Sequence, residues 1–179
     1  TGRVLIGKAQ KEVEEGVVGM VLQNYPLFEH RTIGSNLNLV SSDKEMISFL
    51  LNEFNLTKNI DKYPSECSGG QKQRTAIVQQ LLTSDKFILF DEPFSGLDPL
   101  ATSKLSKNIQ KVGNLNNETT VIISSHILEP AIAISDTVIM LGRKEGVEGA
   151  VILFKNDLIE MGLAWTEDIL LKPAFSEYI

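Results

Sequence analysis

The amino-acid sequence predicts an α/β fold built on a mostly parallel sheet. Two observations support this prediction. Short apolar runs alternate along the chain with amphipathic segments, which is the pattern of strands connected by helices. Three of these runs, which begin at Phe87, Val121 and Val138, are apolar on successive residues. Such runs are typical of strands that are buried on both faces, so we expect three core strands here.

Five strands are expected in chain order, with helices between them. They are predicted at residues 17–22, 87–90, 120–124, 137–141 and 150–154. After the second strand, a helix is predicted to begin with Asp98 as N-cap and Pro99 in its first turn, where a missing N–H is tolerated. Residues 113–117 contain glycine and asparagines that should end this helix.

The region between the first two strands is predicted to be helical. Apolar side chains recur there at the spacing of one helix face, at Ile47, Leu50, Leu51 and Phe54. We expect this helix to begin behind a capping box that extends from Ser42 to Glu45. A second helix is predicted over residues 70–82.

Composition and charge exclude several protein classes. With 179 residues, 42% of them hydrophobic and 22% charged, the chain has the composition of a globular domain, not of a disordered or fibrous protein. The formal net charge of -6 gives no broad cationic surface, so we expect no nucleic acid among the partners. The single cysteine, Cys67, cannot form an internal disulfide, which favours a reducing compartment. No apolar stretch approaches the ~18 residues of a spanning helix and no signal-peptide pattern is present, so another chain would span any membrane that the protein serves.

The first candidate site is a glycine-rich segment directly before a helical pattern. Ser68, Gly69, Gly70 and Gln71 expose backbone N–H groups and a hydroxyl at the positive end of a helix dipole, which suits a phosphate group. The alternative is an ordinary glycine-rich helix cap. A motif this short, taken by itself, favours the cap.

The second candidate site is an acidic pair that ends a predicted core strand. Asp91 and Glu92 follow the apolar residues 87–90, and the carboxyl ends of buried parallel strands are where such sheets bind ligands. Asp91 is placed to hold Mg²⁺ through water, and Glu92 to orient and deprotonate the water that attacks a γ-phosphate. The alternative is a strand followed by a solvated acidic turn.

The order of these segments resembles that of the ATP-binding cassette (ABC) family. Residues 68–71 look like its signature motif, although Cys67 stands where the family usually has leucine. Asp91 looks like the Walker B acid, and Glu92 like the catalytic glutamate. Residues 95–98, SGLD, look like the D-loop, so that Asp98 joins Ser68, Gly69, Gly70 and Gln71 as a nucleotide-binding residue by resemblance.

Two further residues gain a role only from this resemblance. His126 follows an apolar strand and is similar to the switch histidine, which implies a hydrogen bond to the γ-phosphate in the transition state. Gln23 closes the first predicted strand and is similar to the Q-loop glutamine, which implies contact with Mg²⁺ and the attacking water. Without the resemblance, both would be ordinary polar residues at strand ends.

The resemblance implies a P-loop NTPase fold of the RecA-like type, with ATP and Mg²⁺ as cofactors. Residues 1–24 and 84–179 would form the catalytic core, and residues 25–83 an inserted α-helical signature subdomain. The core would lack the N-terminal P-loop strand and helix of the family.

The phosphate-binding loop of the family, the Walker A motif G-x-x-x-x-G-K-[ST], has no acceptable match. The string from Gly2 to Ala9 nearly fits, but Ala9 replaces the hydroxyl that binds Mg²⁺, and bulky residues 3–6 fill a loop that needs small ones. We interpret the string as the strand and turn that follow the Walker A helix, with Lys8 on the surface. We therefore expect a portion of a longer protein, inactive by itself; a naturally degenerate ATPase is the alternative.

The resemblance further implies a subunit that binds and hydrolyses ATP to drive a transporter. Two such domains would meet head to tail, with Ser68, Gly70 and Gln71 of one facing the γ-phosphate held by the other. The partners would be this second domain, a transmembrane permease subunit and a solute-binding protein, on the cytoplasmic, inner face of the cell membrane.

The direction of transport and two alternatives complete the expectations. Residues 25–30, YPLFEH, resemble those of bacterial importers of small polar solutes. One alternative is an ATPase of the same superfamily that acts on DNA or the ribosome. The other is a non-catalytic module that only completes a partner's site.

Overall fold

The computed structural model describes residues 5–6, 11–14, 16–84, 86–115, 119–142 and 151–157. Its strands are β1 Leu5–Ile6, β2 Lys11–Glu12, β3 Val18–Val21, β4 Phe87–Asp91, β5 Thr120–Ser124, β6 Thr137–Gly142 and β7 Val151–Asp157. Its α-helices are α1 Ile33–Leu37, α2 Lys44–Glu53, α3 Gly69–Thr83, α4 Pro99–Gly113 and α5 Leu128–Ile132. The chain divides into two compact units, Thr1–His126 and Ile127–Ile179.

The first unit contains a parallel three-stranded sheet in the order β3-β4-β5. Helix α3 packs against β3 and helix α4 against β5. The side chains of Val21, Ile88 and Phe90, which lie on one face of the sheet, are buried. Gly19 lies on the same face, where an added Cβ would come within 2.8 Å of the Ile88 side chain. The α/β class with a parallel sheet is therefore confirmed.

The prediction that the apolar strands are buried on both faces is correct only in part. Ile122 of β5 is 49% exposed, and Met20 of β3 is 41% exposed on the same face. In the described part of the first unit, helices α3 and α4 pack on the sheet, and these side chains stay uncovered. In the second unit, β6 pairs antiparallel with β7, and Ile139 is 52% exposed. A strand of consecutive apolar residues is therefore not always buried on both faces of its sheet.

The helical region after β3 follows the predicted apolar pattern but begins differently. Ile47, Leu50, Leu51 and Phe54 are all buried, as predicted. The capping box from Ser42 to Glu45 is wrong, because the N-cap of α2 is Asp43. Its carboxylate accepts hydrogen bonds from the amides of Glu45 at 3.1 Å and Met46 at 2.9 Å. A carboxylate one residue later reaches the same orphan amides and adds the favourable dipole interaction of an acidic group.

The two longer helices lie close to their predicted places. Helix α3 begins one residue before and ends one residue after the predicted range of 70–82. Asp98 caps α4, with Pro99 in its first turn as predicted, and α4 ends at Gly113. Of the predicted strand at 150–154, all but residue 150 lies in β7, and residue 150 is outside the described residues.

Candidate functional site

The acidic pair lies where β4 ends, directly beside the end of β5. The Cα atoms of Asp91 and Ser124, the last residues of the two strands, are paired across the sheet. The Ser124 hydroxyl donates to Asp91 Oδ1 at 3.3 Å, and the Glu92 amide donates to the Ser124 carbonyl at 2.9 Å. Because the strands are parallel, the residues that follow both of them lie at one edge of the sheet.

His126 lies in direct contact with Glu92 at this edge. Its ring Nδ1 is 2.8 Å from Glu92 Oε2, and its backbone amide donates to the same oxygen at 3.3 Å. The side chain of Glu92 is 32% exposed and that of His126 is 70% exposed. A carboxylate held on one side by a histidine and open on the other can accept a proton from a water molecule. We call Asp91, Glu92, Ser124 and His126 the sheet-edge cluster.

The backbone of Glu92 is strained. Its φ of 47° lies in the left-handed region, which a residue with a β-carbon rarely adopts. Residues held in such conformations cost about 1–3 kcal/mol and are frequent at active sites. Two sets of contacts hold this conformation. The Glu92 amide is hydrogen-bonded to the Ser124 carbonyl of β5, and the Glu92 carboxylate is bonded to His126. The turn after β4 therefore directs the carboxylate of Glu92 across to the end of the neighbouring strand.

Gln23 lies at the same edge of the sheet, but no hydrogen bond joins it to the cluster in the described structure. The last paired residue of β3 is Val21, opposite Phe90, and Gln23 follows two residues later. Its side chain is exposed. The parallel arrangement therefore brings Gln23 to the sheet edge where Asp91 and Glu92 lie.

The glycine-rich segment forms the first turn of α3, as a helix cap. The Ser68 hydroxyl accepts from the amide of Gln71 at 3.3 Å, and Gln71 Oε1 accepts from the amide of Ser68 at 2.8 Å. This is a reciprocal capping box, so Ser68 and Gln71 stabilise the helix start. We call Ser68, Gly69, Gly70 and Gln71 the helix-start cluster.

The two glycines of this cluster leave open space. A Cβ added at Gly69 would meet no atom within 4 Å, and one added at Gly70 would meet only Arg74 Nη1, at 3.6 Å. Neither residue has a positive φ. The fold therefore does not require glycine at either position. A bare helix start at the positive end of a dipole is open to an anion that approaches from outside the chain.

A cavity of about 550 Å³ lies beside the helix-start cluster. It is lined by this cluster and, among others, by Tyr25, Arg74, Asp98 and Lys104. The Nε atom of Arg74 is buried and makes no hydrogen bond, and burial lowers the pKa of the guanidinium from its usual value. Asp98 accepts from the amide of Ala101 at 2.9 Å.

The predicted site residues therefore fall into two groups. Asp98 shares the cavity with the helix-start cluster, whereas Asp91, Glu92 and His126 do not line it. The group of Asp91, Glu92 and His126 offers two carboxylates and an imidazole, and the other group offers backbone amides and a hydroxyl beside the carboxylate of Asp98.

The comparison with known proteins identifies the family. A family model described as ABC transporter matches residues 2–95, which is more than half of the chain. The chain belongs to the ABC transporter family. Among curated members, it is 32% identical over 154 residues to the sulfate/thiosulfate import ATP-binding protein CysA of Thermosynechococcus vestitus, covering 80% of this chain and 46% of that protein.

Two other relatives give a similar result. The methionine import ATP-binding protein MetN of Haemophilus influenzae is 34% identical over 154 residues, covering 80% of this chain and 44% of that protein. The glycine betaine/carnitine/choline transport ATP-binding protein OpuCA of Bacillus subtilis is 34% identical over 140 residues, covering 73% of this chain and 37% of that protein. The chain thus spans less than half the length of these ABC relatives.

A solved structure has the same fold. The cbiO1 protein from Clostridium perfringens, described as part of the ABC transporter complex cbiONQ, superposes with a TM-score of 0.67. The match covers 82% of this chain and 59% of that chain, at 23% identity. The similarity supports the P-loop NTPase fold that the ABC resemblance implied.

Sequence reasoning gave no role to three side chains that line the cavity of this ABC domain. They are Tyr25, Arg74 and Lys104. Arg74 could have been suspected, since it lies one turn after Gly70 and therefore on the same face of α3. Tyr25 and Lys104 reach the cavity from segments distant in sequence, and no local pattern indicates this.

The N-terminal string that nearly fits the Walker A motif lies mostly outside the described residues. Leu5–Ile6 forms a strand paired antiparallel with Lys11–Glu12, in agreement with a strand in the rejected Walker A string. The other residues of that string, including Lys8, lie outside the described part of the chain. In that part, no helix combines the length and the apolar character needed to cross a membrane.

Proposed function

We propose that the complete protein is the ATP-hydrolysing subunit of an ABC importer. The observation that carries this proposal is the contact between Glu92 and His126 beside Asp91 at the carboxyl edge of a parallel sheet. The names of the curated relatives, which are import ATP-binding proteins, support the transport role.

In this proposal the sheet-edge cluster carries out the chemistry. Glu92 would hold the attacking water and take its proton. Its carboxylate is partly exposed to solvent and lies at the edge where parallel sheets bind ligands. His126 fixes the Glu92 carboxylate through Nδ1, and the largely exposed remainder of its ring reaches the γ-phosphate. Gln23, at the same edge, would contact the metal and the water.

Mg²⁺ fits this edge of the sheet. The described residues contain no group of three or more His, Cys, Asp or Glu that could hold a metal by themselves. Mg²⁺ needs no such group, because it usually binds one or two carboxylates together with phosphate oxygens and several waters. Asp91 would hold it, and the ion would neutralise charge on the β- and γ-phosphates.

The helix-start cluster would act on a nucleotide held by a second copy or a related domain. Two features support this head-to-tail pairing. Gly69 and Gly70 face open space that the fold itself does not use. The cluster also shares its cavity with Asp98 and not with Glu92. The bare amides of one domain would therefore complete the site of the other.

A transmembrane permease subunit would bind the helical region, with a solute-binding protein delivering a small polar solute. Apolar side chains in that region are exposed, at Phe28, Leu39, Val40, Met46 and Phe49. Exposed apolar side chains gathered in one region are typical of protein interaction sites. The protein would then lie on the cytoplasmic face of the cell membrane.

The test is Mg²⁺-dependent phosphate release by the complete gene product, compared with its Glu92→Gln variant. We expect the variant to lose at least about 10²-fold in turnover, because the base is removed. ATP-driven pairing of the domains should persist, since the amide side chain keeps the shape of the carboxylate. The exposed Glu14 provides the matched control, Glu14→Gln, with unchanged turnover. Normal turnover in Glu92→Gln would refute the role of Glu92, and a wild-type protein without hydrolysis would favour the non-catalytic module.

A further inference from the structure

The chain turns sharply two residues after Gln23. Tyr25 has a φ of 42°, in the left-handed region that residues with a β-carbon rarely adopt. Its amide donates to the Leu22 carbonyl at 3.2 Å, and its own carbonyl accepts from the Leu27 amide at 2.8 Å. A backbone conformation of this kind costs free energy, so it persists only where surrounding contacts hold it.

The side chain of Tyr25 provides such a contact, because it reaches helix α3. The Tyr25 hydroxyl accepts a hydrogen bond from Nε2 of Gln73. Gln73 is 7% exposed and lies one turn after the helix-start cluster. Burial raises the pKa of the Tyr25 hydroxyl, so it stays neutral near pH 7. The turn after Gln23 is therefore bound to the first two turns of α3.

The loop that follows Tyr25 is bound to the same helix at its far end. The fully buried Asn36 shares the two N–H groups of Nδ2 among the carbonyls of Phe28, Arg31 and Thr32 at 3.1, 3.1 and 3.0 Å, and its Oδ1 accepts from the Phe28 amide at 2.8 Å. The carbonyl of Asn36 accepts from Gln79 Nε2 at 3.2 Å. Gln73 and Gln79 of α3 therefore bind the loop on both sides, at Tyr25 before it and at Asn36 in α1 after it.

We infer that Tyr25 is a positioning residue that makes the turn after Gln23 and the start of α3 move as one body. The inference rests on the proposed function for its catalytic consequence. A displacement of the helix-start cluster, when it meets a nucleotide, would move Gln73 and through it the strained turn at Tyr25. Gln23 would then reach the attacking water only when the helix start is engaged.

The test uses a cycle of two shape-conserving substitutions in the complete gene product. Tyr25→Phe removes the hydroxyl and keeps the ring, and Gln73→Leu removes the amide and keeps the volume. In the double variant both partners are apolar, so no buried polar group is left unpaired and the thermal stability should return close to that of the wild type. Tyr63→Phe, at a tyrosine that is 45% exposed, is the matched control.

The inference predicts that stability and turnover separate. In the stable double variant, kcat for ATP hydrolysis should stay about tenfold below wild type, because the turn is no longer positioned, while KM for ATP changes less than about twofold. A purely structural hydrogen bond would instead let kcat recover together with stability. Recovery of kcat in the double variant would therefore overturn the inference.

A second readout does not depend on hydrolysis. Amide hydrogen exchange in residues 22–27 and 69–73 should become faster in both segments when the bond between Tyr25 and Gln73 is removed, and should stay unchanged in Tyr63→Phe. Unchanged exchange in the double variant would overturn the inference. If the wild-type protein hydrolyses no ATP, the proposed function fails, and the exchange measurement still decides whether the two segments are joined.

Discussion

The sheet-edge cluster and the helix-start cluster satisfy their polar groups in opposite ways. In the first, side chains bond one another across two strands, and the Glu92 backbone is strained. In the second, the side chains of Ser68 and Gln71 bond backbone amides of their own turn, and the glycines between them carry no side chain. The first arrangement suits proton transfer, and the second suits recognition of an anion. Neither cluster has what the other provides, which is the physical reason why the proposed site would need two domains.

The strongest test of this comparison is a mixed pair of two inactive variants. Glu92→Gln inactivates the sheet-edge cluster, and Gly70→Asp places a negative charge where a phosphate should approach. If sites form head to tail, a pair with one variant in each chain contains one site with both defects and one intact site. We expect turnover of up to about half the wild-type rate, about 10²-fold or more above either variant paired with itself.

The mixed pair can be purified with a different affinity tag on each chain and assayed for phosphate release. The control is a single chain that carries both substitutions, paired with wild type. If pairing is head to tail, this control pair contains no intact site and should be inactive. An inactive mixed pair would mean that the two clusters of one chain act together, and the comparison would be wrong.

The second prediction concerns His126 and is smaller. Removal of its ring in His126→Ala should lower turnover about 10- to 10²-fold, because Glu92 loses its partner at 2.8 Å and the transition state loses a donor. The unfolding temperature should change little, since the ring is largely exposed. His30→Ala, at the other exposed histidine, is the control in the same phosphate-release assay. Equal turnover in the two variants would remove His126 from the site.

The smallest expected effects are on the free energy of unfolding, and they distinguish Ser68, which stabilises the helix start, from Gly70, which the fold does not require. Ser68→Ala should lower the free energy of unfolding by about 1 kcal/mol, because it removes the N-cap. Gly70→Asp should leave stability unchanged or raise it by about 0.5 kcal/mol, since its side chain enters open space near the positive helix end. Urea unfolding measures both. A large loss of stability in Gly70→Asp would show that glycine serves the fold there.

The sequence predicted those features that local chemistry determines. Asp98 caps α4, and Phe54 is buried, because a capping carboxylate and a helical apolar face act within a few residues. The order of Asp91, Glu92 and His126 indicated the sheet edge, although their contact depends on the pairing of β4 with β5. Roles for these residues stay proposals.

Features that depend on distant segments were not accessible from the sequence. The exposure of Ile122 depends on which helices cover β5, and an apolar run gives no information about that. The bond between Tyr25 and Gln73 joins residues 48 positions apart. The cap of α2 is Asp43 and not the predicted Ser42, because serine and aspartate can both cap a helix and only the geometry of the turn separates adjacent candidates.

The position of Cys67 gives a practical consequence. This half-buried thiol is the one cysteine among the 179 residues of the sequence, and it lies next to Ser68. A small fluorophore or spin label attached there would report on the surroundings of the helix start without an engineered labelling site in this part of the protein. The proposed nucleotide-driven pairing would then be followed in real time as a change in the polarity or mobility around the label.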